Sequence, residues 1–132
     1  MYMKLNHIGV AVKSIENQLK VWKGILGMEL IEVMEVPEQK VLVAILSVGD
    51  THIELLEALD AKSTVHSFIE KRGEGLHHLC FGVEHIEQVL QEMKNEDIKL
   101  IDEVPKIGAS GKKIAFVHPE SMGGVLIELE EL

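Results

Sequence analysis

The sequence predicts an α+β fold made of two βαβββ modules, and three observations carry that expectation. First, shifting the chain by 71 residues lays LNHIGVAVKSIENQL (5–19) over LHHLCFGVEHIEQVL (76–90), with six of fifteen positions identical: Leu5/Leu76, His7/His78, Val12/Val83, Ile15/Ile86, Glu16/Glu87 and Leu19/Leu90. Second, a shift of 74 lays SVGDTHIELLE (47–57) over SMGGVLIELEE (121–131), with six of eleven identical: Ser47/Ser121, Gly49/Gly123, Ile53/Ile127, Glu54/Glu128, Leu55/Leu129 and Glu57/Glu131. The matches fall in the same order, and the change of offset needs only a three-residue insertion in the second half. Such self-similarity is the mark of a duplicated unit. Third, each half opens with a strand-like alternation and passes at once into a helical apolar spacing.

The elements follow in order. A strand is expected over 4–12, where Ile8, Val10 and Val12 alternate with His7, Gly9 and Ala11. The spacing of Ile15, Leu19, Trp22, Ile25 and Leu26 predicts a helix over 14–26 that Gly27 ends. Strands are expected at about 28–36, 40–48 and 51–58, the last with Ile53 and Leu55 on its apolar face and Glu54 opposite. The connector reads as helical over 62–72. The second half repeats the scheme: strand 76–83, helix 86–95, then strands at about 98–104, 112–118 and 124–131, with Glu128 opposite Ile127 and Leu129. Pro37, Pro105 and Pro119 sit at or beside turns. Module one is thus 1–60, the connector 61–73 and module two 74–132, within a single domain.

Composition bounds the function. With 132 residues, 46% of them hydrophobic, the chain suits one compact core. No apolar stretch approaches the ~20 residues needed to span a bilayer. The start, MYMKLNHIGV, lacks a charged region followed by a long apolar block, so no signal peptide is expected. The single cysteine, Cys80, leaves no internal disulfide, fits a reducing cytoplasm and reads as a small buried side chain. A net charge of −9 argues against nucleic acid, whose phosphates attract basic surfaces. A soluble cytoplasmic domain is expected.

The stretch GEGLHHLCFGV (73–83) holds two adjacent histidines, and the duplication selects one. His78 is matched by His7, whereas His77 is matched by Asn6. Each selected histidine shares its strand face with small residues, Gly9 and Ala11 or Cys80 and Gly82, which are expected to leave room for a ligand. Together with Glu54 and Glu128 they form a quartet with one histidine and one glutamate per half. Mixed nitrogen and oxygen donors suit Zn²⁺, Co²⁺, Mn²⁺, Ni²⁺ or Fe²⁺. Four protein ligands on an octahedral ion would leave two positions for a bidentate substrate. His52, His66, His85 and His118 have no such paired support. Lys106, Lys112 and Lys113 gather around the turn IGASGKK, either as a seat for phosphates or as a solvated turn.

These residues carry a resemblance to the vicinal oxygen chelate superfamily, which includes glyoxalase I, extradiol dioxygenases and methylmalonyl-CoA epimerase. The sequence is most similar to the epimerase family, through LNHIGVAV, VPEQKVLVAILSVGDTHIELLE, STVHSFIEKRGEGLHHLCFGV and DEVPKIGASGKKIAFVHPESMGGVLIELEE. The resemblance implies paired βαβββ modules curled into a curved mixed sheet around a metal-binding cleft. It implies His7, His78 and Glu128 as metal ligands, with Glu54 at a fourth position where some members have glutamine. Glu128 is the implied proton-transfer residue, and Glu54 the symmetric candidate for the opposite face. A second carboxylate base of some members falls at Val43, which cannot move a proton, so the second acid/base is open. The implied activity is metal-dependent interconversion of (2R)- and (2S)-methylmalonyl-CoA through an enolate. Lys106, Lys112 and Lys113 would then hold the phosphates of the acyl-CoA, in a homodimer with neither membrane nor nucleic-acid partners. Glyoxalase I is the alternative enzyme. A metal-free binding protein on the same fold is the alternative of another class, and the quartet counts against it.

Overall fold

The computed structural model describes residues 2–132. They divide into two compact units, His7–His77 and the residues up to Asn6 together with His78–Leu132. Each unit has its own core and its own helix-covered sheet face.

The His7–His77 unit takes β1 (Met3–Ala11) from His7 onward, α1 (Ile15–Trp22), β2 (Glu29–Val36), β3 (Val41–Val48), β4 (Thr51–Ala58) and α2 (Thr64–Arg72). Its strands lie in the order β2-β3-β4-β1. β1 runs parallel to β4, while β2–β3 and β3–β4 are antiparallel hairpins. On one face Ile15, Leu19 and Trp22 of α1 pack with Ala44, Leu46 and Leu55. On the other, Val65, Phe68 and Ile69 of α2 cover Ala11, Val36, Val41, Val43 and Leu56. The start of α1 is well tied. Ser14 Oγ accepts from the Asn17 N–H at 3.1 Å, and a Glu57 carboxylate oxygen accepts from the Ile15 N–H at 2.7 Å. Both satisfy amides that a helix leaves open at its N-terminus. α1 is shorter than the expected 14–26. Beyond Trp22 the N–H groups of Gly24 and Leu26 reach back five residues, to the carbonyls of Leu19 and Val21, in widened turns. Gly24 permits this, since a Cβ there would lie 2.4 Å from the Lys20 carbonyl oxygen.

The other unit takes β5 (Gly75–Val83) from His78, α3 (Ile86–Asn95), β6 (Lys106–Ile107), β7 (Lys113–Val117) and β8 (Ile127–Glu131). Its order, β5-β8-β7-β6, repeats the first. β5–β8 is parallel, and β7–β8 and β6–β7 are antiparallel. Ile86 and Leu90 of α3 pack with Val83, Ala115, Val117, Ile127 and Leu129. The Ile86 N–H donates to a Glu131 carboxylate oxygen at 3.3 Å, as Ile15 does to Glu57. The α+β class, the mixed sheet and the twice-repeated βαβββ succession of elements are therefore those the sequence predicts.

The strand expected over 98–104 does not form. Leu100 makes an isolated bridge to Val117, and the ladder resumes only at Lys106–Ile107. Between them a side chain takes the ladder's place. Asp102 Oδ2 accepts from the Phe116 N–H at 2.8 Å, while the Ile101 and Asp102 N–H groups both donate to the Phe116 carbonyl. Pro105, with no N–H to offer, keeps the pairing from continuing. Among the described residues no helix is long and apolar enough to cross a membrane.

Candidate metal centre

Each unit builds a histidine–glutamate pair by the same rule. In the parallel ladder of β1 and β4, Gly9 stands opposite Glu54. Glycine leaves that position open, and Glu54 meets His7, two residues earlier, with its carboxylate 3.2 Å from Nδ1. In the ladder of β5 and β8, Cys80 stands opposite Glu128. The carboxylate of Glu128 lies 3.2 Å from Nε2 of His78, again two residues earlier. His7, His78 and Glu128 are buried, and the Glu54 side chain retains 20% exposure. Burying ionisable groups is costly unless each finds a partner. Among the described residues no buried side-chain polar atom lacks one.

The surroundings differ from what the small residues suggested. At Gly82 the space is filled: a Cβ there would meet the Leu132 side chain at 2.6 Å. Ala11 lies fully buried in the cluster under α2. Only Gly9 and Cys80 sit beside the pairs. Cys80 has more to offer than bulk, because its sulfur and a Glu128 carboxylate oxygen lie within 4.8 Å. The signal that could have found it was the alternation that put Cys80 on the face of His78. Opposite Glu128 on β7 stands Phe116, whose ring meets His78 at 6.2 Å and 74°. Val43 is buried in the apolar cluster beneath α2, consistent with its inability to act as a base.

The other histidines separate clearly. His77 packs its ring edge-on against Phe68 at 4.8 Å. His118 caps the 3₁₀ turn Pro119–Ser121, its Nδ1 accepting from the Glu120 N–H at 3.0 Å. His66 lies 3.7 Å from Glu70 on the exposed side of α2. His85 precedes α3 and lines a surface hollow with Glu84, Gln88, Val89 and Glu92. His52 is the ladder partner of His7, on the face that carries Glu54.

The three lysines do not converge. In the β6–β7 ladder Lys106 pairs with Ile114 and Ile107 with Lys113, so the two lysines point to opposite faces. Lys106 turns to the face of Phe116, its ammonium 5.4 Å from that ring and 3.3 Å from Asp102. Lys113 turns to α3 and pairs with Glu87. That hydrogen bond is the first cause holding the Glu87 carboxyl below its ordinary range, with a backbone hydrogen bond next and the charge of Lys113 a lesser contribution. Lys112 is exposed at the turn. The turn's own amides are partly spent, since the Gly108 and Gly111 N–H groups donate to the Lys112 and Gly108 carbonyls.

Two imidazoles and two carboxylates are donors that fit a borderline divalent ion, and a thiol lies beside one pair. Residues 6–116 match the model of the glyoxalase/bleomycin resistance protein/dioxygenase superfamily. The chain belongs to that superfamily. An uncharacterized protein of Bacillus subtilis is 44% identical over 97% of this chain and 91% of its own. The mitochondrial methylmalonyl-CoA epimerase of Bos taurus is 39% identical, covering 97% of this chain and 74% of the relative. A solved structure of methylmalonyl-CoA epimerase in complex with methylmalonyl-CoA and ammonium superposes with a TM-score of 0.89 at 27% identity, over 99% of this chain and 95% of that one.

Proposed function

We propose that this chain is a metal-dependent epimerase that interconverts (2R)- and (2S)-methylmalonyl-CoA through an enolate. The observation that carries the reading is the pair of His–Glu couples, each at 3.2 Å and at the same ladder position. The 39% identity to a methylmalonyl-CoA epimerase supports the choice of substrate.

His7, Glu54, His78 and Glu128 would hold one divalent ion, of the Zn²⁺, Co²⁺, Mn²⁺, Ni²⁺ or Fe²⁺ type. When bound, the ion supplies Lewis-acid stabilisation of the negative charge that develops on the thioester oxygen. The chain's residues do the rest. Glu128 exchanges the proton at C2 on one face of the substrate, and general acid–base transfer requires it within hydrogen-bond reach of that carbon's proton. His78 would orient the Glu128 carboxylate, with the Phe116 ring set edge-on to His78. Lys106 and Lys112 would meet phosphates of coenzyme A. Lys113, turned away to Glu87, would add only its longer-range charge. The reading extends to a cytoplasmic homodimer. A lone buried thiol suits a reducing compartment, and exposed Ile31 and Val33 on β2 offer apolar surface to a second copy.

Incubation of metal-loaded protein with each enantiomer in D₂O tests the reading. Epimerisation is expected together with deuterium at C2, and a chelator should abolish both. His7→Ala and His78→Ala should each lose metal by elemental analysis and more than about a hundredfold in rate, whereas His77→Ala should keep both. Turnover of the glutathione hemithioacetal of methylglyoxal in place of methylmalonyl-CoA would identify a glyoxalase I instead. Inertness toward both substrates with metal bound would overturn the enzyme reading.

A further inference from the structure

The ladder that forms the first histidine–glutamate pair sets a third metal-binding side chain beside it. His7 and His52 are direct partners in the parallel pairing of β1 and β4. His52 and Glu54 are two apart on β4, so both lie on the sheet face of His7. Neighbouring strands are about 4.8 Å apart, and alternate residues of one strand about 7 Å apart. His52 thus starts about 5 Å from His7 and about 7 Å from Glu54 by backbone. Two histidines one helical turn apart, with about 5–6 Å between their Cβ atoms, form a common zinc-binding pair. Partners in a parallel ladder offer a similar spacing.

The pair that His52 flanks is already closed, with Nδ1 of His7 and the Glu54 carboxylate 3.2 Å apart. His52 itself is half-buried and makes no hydrogen bond, ion pair or ring contact among the described residues. Bringing its imidazole to the pair asks for a side-chain rotation that no such contact opposes. Its neighbour on the far side is Ser47 of β3, small and uncharged.

The other unit has no equivalent. A shift of 74, which lays Glu54 over Glu128, lays His52 over Leu126. The duplication is symmetric in one histidine and one glutamate per unit, and the first unit alone adds an imidazole. Internal matching gives that imidazole no support; the β1–β4 register does.

We infer that His52 is a third metal donor of the His7–His77 unit, completing with His7 and Glu54 a two-histidine, one-carboxylate set on one sheet face. The inference rests on the metal centre in the reading above and draws only on donors of this unit. Such a set suits first-row divalent ions. Its consequence is selectivity. An added imidazole favours ions such as Ni²⁺ and Zn²⁺, whereas oxygen donors suit Mn²⁺. His52 therefore tilts the centre toward the nitrogen-preferring ions and has no part in proton transfer.

The test uses the full chain stripped of metal, as wild type, His52→Leu, His52→Gln and His66→Ala. Leucine reproduces residue 126 of the other unit, and glutamine offers an oxygen in place of a nitrogen. His66, on the exposed side of α2, is the control. Ni²⁺ and Mn²⁺ affinities are measured separately by equilibrium dialysis, and pulsed EPR of the Cu²⁺-loaded proteins counts coordinated imidazoles. All metal-free variants should share the wild-type far-UV spectrum. His52→Leu should weaken Ni²⁺ by about tenfold or more, weaken Mn²⁺ less, and show one imidazole fewer. His52→Gln should restore Mn²⁺ affinity but not that for Ni²⁺, and His66→Ala should match wild type. Unchanged Ni²⁺ affinity and imidazole count in His52→Leu would overturn the inference while leaving the metal centre standing. Equal weakening of both ions in the leucine and glutamine variants would overturn it in favour of a packing role. A wild-type protein that binds neither ion would instead overturn the metal centre on which the inference rests.

Discussion

In the His7–His77 unit the sheet face that carries the histidine–glutamate pair is covered at one end by α2, which buries Val43 and Leu56. In the other unit the same face carries Phe116, with Lys106 above its ring and Asp102 behind it. Beneath these differences the ladders are equivalent. A histidine precedes by two residues the ladder partner of a glutamate, Gly9 for Glu54 and Cys80 for Glu128. A second matched pair, Glu57 and Glu131, receives the first amide of each module's helix. Duplication thus preserved two kinds of glutamate for two reasons. One kind faces the histidines, and the other satisfies a helix terminus. Sequence identity alone treats them alike, and the side of the strand separates them.

The comparison can be sharpened first in the cores. Leu19 and Leu90 are matched residues on matched helices, but Leu90 is only 1% exposed while Leu19 is partly buried at the edge of its cluster. Leu90→Ala should cost about 2–5 kcal/mol through lost burial and a residual cavity, and Leu19→Ala less. Urea denaturation midpoints of the two variants check this. Equal losses would mean that the units are packed more alike than their exposures indicate.

A smaller effect is expected at the helix starts. Glu57→Gln and Glu131→Gln each remove a charge from a helix N-terminus and weaken one hydrogen bond, at a cost of about 0.5–2 kcal/mol. The 2.7 Å contact at Ile15 should make Glu57 the more sensitive position, against 3.3 Å at Ile86. α1 also has its Ser14 cap, whereas His85 before α3 makes no side-chain cap bond. If that second cap dominates, the order of the two losses will reverse, and thermal melts of the pair decide it.

The smallest effect separates the units by pH. Glu87 lies on α3, and its first-unit counterpart Glu16 has no lysine partner of this kind among the described residues. Because the hydrogen bond from Lys113 lowers the Glu87 value in the folded state, its contribution is present above the ordinary carboxylate range and is lost as pH falls through the lowered value. The pair is surface-exposed, so the effect should also shrink with added salt. Melting temperatures between pH 7 and about pH 3 should fall less steeply in Glu87→Gln than in wild type, and an unchanged slope would show that the pair does not contribute.

The repeat, the element order and the placing of His77 and His78 on opposite strand faces were legible in the sequence, because strand alternation and internal matching are local properties of the chain. Position along a strand tells which residues share a face. It does not tell what approaches that face from elsewhere. The Leu132 side chain over Gly82, α2 over Ala11 and Val43, and Asp102 standing in for a strand were therefore decided only by tertiary packing. The same limit applied to the lysines: three nearby cations in sequence suggested one cluster, yet the β6–β7 register sent Lys106 and Lys113 to opposite faces. The bulge in β2, where the register jumps from Leu30↔Leu46 to Glu32↔Ile45, was hidden for a related reason: it shifts the alternation by one residue, and the shift is set by two cores that must both be filled, so no count along β2 by itself could place Glu32 on the face of Glu54.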